Sequence, residues 1–287
     1  MTLQRLGPSD AAVLETFVVP RYLTLFGETL LDMFLSSGAA DVVHLGCRTG
    51  YPDELIADRL TSGSIVGLDP SSPAIELART KGALIPSLST DYDVFTTFPT
   101  ALNSQSFTHG ICLHPSNALE DRQALVAELA RLIMPQGQVL LSLPMRGSFQ
   151  EIIDLLREYA LKFDAGNIGK ATEAASLARP TVEGLTEELE AAGFDQVDVD
   201  LRPVSLAFRS GRDLMEDPIM RLLVLPDIWA TLAVEDVEAP MHYVEEAINR
   251  YWSEETFELT VNVGCASGRR VDDSTETPGS GSSRSQG

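Results

Sequence analysis

The chain has 287 residues, 44% of them hydrophobic, with a formal net charge of −21 and a sequence pI near 4.4. That length and apolar share fill one large α/β core or two small ones, while the charge argues against a nucleic-acid substrate, because holding a polyanion takes Lys and Arg that displace its counterions. No apolar run reaches the roughly eighteen residues of a membrane helix, no basic-then-apolar leader opens the chain, and three scattered cysteines, Cys47, Cys112 and Cys265, read as reduced thiols with no metal cluster or disulfide, so the expected compartment is the cytoplasm.

From Ser9 to Ser36 the apolar residues recur at helical spacing, and Pro20 is expected to divide them into two helices. Residues 1–37 thus read as a helical cap, with Tyr22 and Phe26 expected chiefly in core packing. Strand, helix and strand then alternate through residue 143, with strands expected near 42–45, 64–68, 91–97, 107–113 and 138–143; this order implies right-handed crossovers and a parallel sheet. The first strand runs into the turn Gly46-Cys47-Arg48-Thr49-Gly50, and the second ends in Asp69 a little over twenty residues beyond it. A glycine-containing turn between strand and helix, with a carboxylate at the next strand tip, is how α/β sheets hold a ribose-bearing ligand. Pro52, Asp53 and Glu54 suit the first turn of the helix that follows.

Phe149 to Lys162 and Val182 to Ala192 read as amphipathic helices separated by a looser stretch holding Asp164, Gly166, Gly169 and Pro180. Residues 196–208 and 257–263 alternate as strands and are expected to form the sheet's antiparallel last pair. Nearly fifty residues of helical character lie between them, too long for a hairpin, and read as a lid or partner-binding insertion. The domain expected is residues 38–266, covered by 144–195 and 209–255, and residues 267–287 are expected to be disordered because they have almost nothing to bury.

The turn is not a dinucleotide fingerprint. G-x-G-x-x-G needs glycines where Arg48 and Tyr51 stand, so a pyrophosphate cradle is poorly supplied and a nicotinamide oxidoreductase is set aside. What His44-Leu45-Gly46-Cys47-Arg48-Thr49-Gly50 resembles is motif I of the class I S-adenosylmethionine-dependent methyltransferases. Gly46 and Gly50 match its outer glycines, Arg48 replaces the middle one, and His44 stands where an acid is usual. Gly67-Leu68-Asp69-Pro70 resembles the family's second strand, Ser106 to His114 its fourth, and Glu128 to Ser142 its helix, Pro-x-Gly turn and fifth strand.

The resemblance implies a Rossmann-like, seven-stranded, mostly parallel sheet with helices on both faces, an antiparallel last strand and a helical insertion before it. It also implies S-adenosylmethionine as cofactor, held by His44, Gly46, Cys47, Arg48 and Gly50 on the turn, by Asp69 and Pro70 at the second strand tip, with Asp69 on the ribose hydroxyls, and by Asp93 for the adenine. His114, after the fourth strand, is the candidate general base. The activity implied is methyl transfer to a small molecule or a protein, by a monomer or homodimer acting without nucleic acid, membrane or metal. Arg48 points two ways, since its guanidinium either pairs with the cofactor's carboxylate or fills the pocket and abolishes binding. The alternative is accordingly a catalytically inactive methyltransferase-like domain that serves as an adaptor or regulator.

Overall fold

A computed structural model describes residues 6–36, 38–116, 118–232, 234 and 236–272. Its seven strands, β1 (Ala39–Leu45), β2 (Ser62–Asp69), β3 (Ser89–Val94), β4 (Phe107–Leu113), β5 (Ile133–Pro144), β6 (Phe194–Phe208) and β7 (Phe257–Arg270), form one sheet in the order β3-β2-β1-β4-β5-β7-β6. The first five strands run parallel, and β7 lies antiparallel between β5 and β6. The strand order reverses between β1 and β4, and open α/β sheets bind ligands at the carboxyl edge of such a point.

The alternation expected from the strands divides the core in two. Val42 faces one cluster, with α1 (Pro8–Val13), α2 (Thr24–Met33), α3 (Asp53–Ala57) and the inner side of α4 (Ser72–Gly82); Val43 and Leu45 face the other, with α5 (Leu119–Leu132). On the first face α6 (Gln150–Lys162) is joined by the insertion before β7, which comprises α9 (Gly211–Glu216), α10 (Leu225–Leu232) and α11 (Glu238–Tyr251). On the second, α8 (Val182–Ala191) packs beside α5.

Three expectations are corrected. Pro20 does not divide the N-terminal segment: residues 14–23 form a widened, π-type helical stretch joining α1 to α2, in which the Thr24 N–H reaches back to the Val19 carbonyl. The wider turn accommodates a ring that an ordinary helical turn would exclude. The stretch expected to be loose contains α7 (Gly166–Ala178), despite two glycines, because Ile168, Thr172 and Ala175 are buried there and Gly169 lets Ala160 approach. Finally, β7 runs to Arg270, so residues 267–270 are paired strand; the remainder of the expected disordered tail, from residue 273, lies outside the described residues.

Candidate functional site

The carboxyl edges of β1, β2 and β4 converge on a small cavity lined by Gly46, Arg48, Asp69, Cys112, Leu113, His114 and Pro115, and roofed by Leu6, Leu14 and Leu223. Four of the sequence candidates, Gly46, Arg48, Asp69 and His114, therefore meet in one place. Gly46 sits at φ +70°, in the left-handed region, whereas a Cβ there would meet only the Cys112 sulfur at ordinary distance; the backbone, not the space, requires glycine. Arg48 and His114 share that region at φ +49° and +48°, which L side chains adopt sparingly and which clusters at ligand sites.

Asp69 ends β2 almost fully buried. Its Oδ2 accepts the Arg48 backbone N–H at 3.0 Å and its Oδ1 the Ser71 N–H at 2.9 Å. Burial raises its carboxyl above the usual range, an effect partly offset by those two N–H groups and by the Arg48 charge. The Arg48 side chain crosses from β1 to β4, donating from Nη1 to the Leu113 carbonyl and from Nη2 to the His114 carbonyl, both at 2.8 Å. Over this edge the N-terminal segment is tied down by the Ser71 hydroxyl donating to the Leu6 carbonyl at 3.0 Å and by a Lys81–Glu15 ion pair at 2.8 Å.

His114 is not placed as a general base. It is buried in an edge-on aromatic packing with Tyr22 and Phe26, its Nε2 is 2.9 Å from the Tyr22 hydroxyl, and burial, with Arg48 and Arg179 adding, lowers its pKa to about 3. A ring so weakly basic takes no proton near neutral pH. The partnership with Tyr22 escaped the sequence because it joins positions 92 residues apart.

The remaining candidates lie outside the cavity lining. His44 turns to the neighbouring face, with Nδ1 2.7 Å from Asp53 Oδ1, and Asp53 Oδ2 accepts from the Tyr92 hydroxyl at 2.9 Å. His44 is thereby coupled to a buried carboxylate of α3, nine residues on. Cys47 is buried with Ile75, Ala78 and Tyr92, and its thiol is pushed well above its ordinary pKa by that burial. Gly50, at φ +82°, leaves room for Ala78 of α4, Pro70 is buried beyond the lining, and Asp93 lies on the surface paired with Arg79 at 3.3 Å. The adenine assignment to Asp93 therefore lacks geometric support. Among the described residues, His44 Nε2, Thr49 Oγ1 and Tyr51 Oη are buried without a hydrogen-bond partner, so unsatisfied polar atoms gather on and beside the turn.

Residues 43–141, about a third of the chain, match the family model described as "Methyltransferase domain". No curated protein matches the chain. Among solved structures it is similar to the YcgJ protein of Bacillus subtilis, with 12% identity, TM-score 0.55, and 87% of this chain and 98% of that one covered. Phosphoethanolamine N-methyltransferase 2 of Haemonchus contortus, complexed with phosphomonomethylethanolamine and S-adenosylhomocysteine, gives 13% identity and TM-score 0.56, covering 93% of this chain and 59% of that one. The [4+2]-cyclase SpnF gives 13% identity and TM-score 0.50, with 87% and 80% covered. At such identities the structures establish a shared fold, and the family model covers residues 43–141 alone.

The donor set suits S-adenosylmethionine better than the space does. Asp69 retains about half of a carboxylate's acceptor positions for a ribose diol, while the unpartnered polar atoms of His44, Thr49 and Tyr51 lie outside the cavity lining. The cavity, however, measures about 40 Å³, whereas even benzene occupies an engineered cavity of about 150 Å³. In this closed arrangement the cofactor does not fit.

Proposed function

We propose that this chain, with its class I methyltransferase fold and its methyltransferase domain over residues 43–141, carries out S-adenosylmethionine-dependent methyl transfer to a small-molecule or protein acceptor through an opened form of the site. The observation that carries the reading is the convergence of Asp69 at the β2 tip and the Gly46 turn at the β1 tip on one cavity. When bound, the cofactor supplies an electrophilic methyl group on a sulfonium. Asp69 has the chemistry to accept the two ribose hydroxyls, as a charge-assisted pair, and the Gly46 turn keeps bulk away from the amino-acid end. Leu6, Leu14 and Leu223 are placed to exclude water above them. His114 and Tyr22 support the wall of the site, leaving any proton on the acceptor to be taken elsewhere. The charge of −21 favours acceptors other than nucleic acids.

A second reading has an observation of its own. The 40 Å³ volume and the guanidinium lying across it fit a methyltransferase-like domain that binds no cofactor and acts through its surface; a shared fold does not by itself supply a shared reaction. Calorimetric titration with S-adenosylmethionine and S-adenosylhomocysteine separates the two. Binding at up to millimolar ligand that disappears in Asp69→Ala supports the enzyme; no heat from the wild-type chain or from any variant that enlarges the hollow supports the silent domain.

A further inference from the structure

We infer that Arg48 is an internal competitor for the nucleoside hollow, a latch whose withdrawal sets whether and how tightly the site takes its cofactor; this rests on the cofactor reading above. The side chain stands where that reading needs room. Its backbone N–H holds one oxygen of Asp69, and its guanidinium spans to the far wall, where the Leu113 and His114 carbonyls each receive one N–H. One residue therefore touches both walls of the hollow and forms part of its lining.

The latch is built to release. Arg48 is only partly buried, while the residues on either side of it are buried, so one flank of the side chain faces solvent. Among the described residues its guanidinium has no carboxylate within ion-pair distance; carbonyl oxygens hold it, and its positive charge remains available to an anionic group. Rotation outward breaks two hydrogen bonds and takes the guanidinium charge away from Asp69, but separates no ion pair within contact distance. Position 48 also lies at φ +49°, where glycine is at ease, so replacing the arginine by glycine removes the obstruction and relaxes the backbone together. Apparent affinity in such a system is the intrinsic affinity scaled by the open fraction.

The test is a calorimetric titration of S-adenosylhomocysteine into wild type, Arg48→Gly, Arg48→Lys and the double variant Arg48→Gly/Asp69→Ala, each first shown to melt cooperatively. Lysine keeps the charge but cannot fork onto two carbonyls. The latch predicts binding at least about tenfold tighter in Arg48→Gly than in wild type, an intermediate value for Arg48→Lys, and loss of the gain in the double variant. Equal or weaker binding by Arg48→Gly, with wild type binding well, overturns the latch and leaves the cofactor reading standing. No binding by any of them overturns both. Should Arg48→Gly melt without cooperativity, Arg48→Lys decides, since the latch requires it to bind tighter than wild type.

Discussion

The half of the molecule built from β1 to β5 and the half that follows β5 share one sheet but divide the work. The first matches the methyltransferase domain over residues 43–141 and carries nearly every group at the cavity able to recognise a ligand: the Gly46 turn, Arg48, Asp69 and His114. Among the described residues the second contributes β6, β7 and the helices α6 to α11 with the π-type stretch Met220–Val224, and reaches the cavity only through Leu223. The polar groups of the cavity are concentrated where strands end at a reversal of strand order, and the later half adds an apolar contact there. Whether that half is merely packed against the site or energetically joined to it can be measured.

The largest expected effect lies at the seam between the halves. Arg122 of α5, almost wholly buried, forks onto both carboxylate oxygens of Glu188 in α8, at 2.7 Å each. Removing one partner leaves a charge desolvated, so Glu188→Ala should cost about 3 kcal/mol, read as a lower urea midpoint. A loss under about 0.5 kcal/mol would show that this ion pair adds nothing to the joint that the β5–β7 ladder already makes. Arg122→Met with Glu188→Leu, which removes both charges, should recover part of the loss.

A smaller effect comes from His114. Its pKa falls from the ordinary 6.5 to about 3 because burial disfavours the cation, with Arg48 and Arg179 adding to the effect. Between those values the unfolded chain binds a proton that the folded chain does not, so this contribution to stability rises with pH and is lost as pH falls from about 6.5 towards 3. His114→Asn cannot titrate. Relative to that variant, wild type should lose up to about 1.4 kcal/mol per pH unit between roughly pH 6 and 4. Parallel stability curves would show that the His114 ring takes up a proton in the folded chain as easily as in the unfolded one.

The same contrast explains what the sequence made legible. Alternation and turn residues located all seven strands, because apolar periodicity reports directly on which face is buried. The convergence of Gly46, Arg48, Asp69 and His114 was also legible, since strand tips in a parallel sheet share an edge. The helix α7 was not, because its glycines are tolerated through contacts with α6 and α10 that local sequence does not encode. Nor was the direction of side chains leaving the turn: His44 finds its carboxylate on α3, Asp93 finds Arg79 on the surface, and Arg48 finds two backbone carbonyls of β4 and its exit. Carbonyls present one acceptor at every residue, so no pattern of residue types reveals which ones an arginine will choose.

The proposed latch makes the hollow at the β1 and β2 tips a nucleoside site held shut by one side chain. A crystal structure of the Arg48→Gly chain grown with S-adenosylhomocysteine tests it most directly. With the latch removed, the ribose hydroxyls should lie on the Asp69 carboxylate and the amino-acid end beside the Gly46 turn, with Leu6 and Leu14 displaced from their present positions. Ligand bound elsewhere, or a hollow refilled by neighbouring side chains with Asp69 still serving only the backbone of residues 48 and 71, would contradict it.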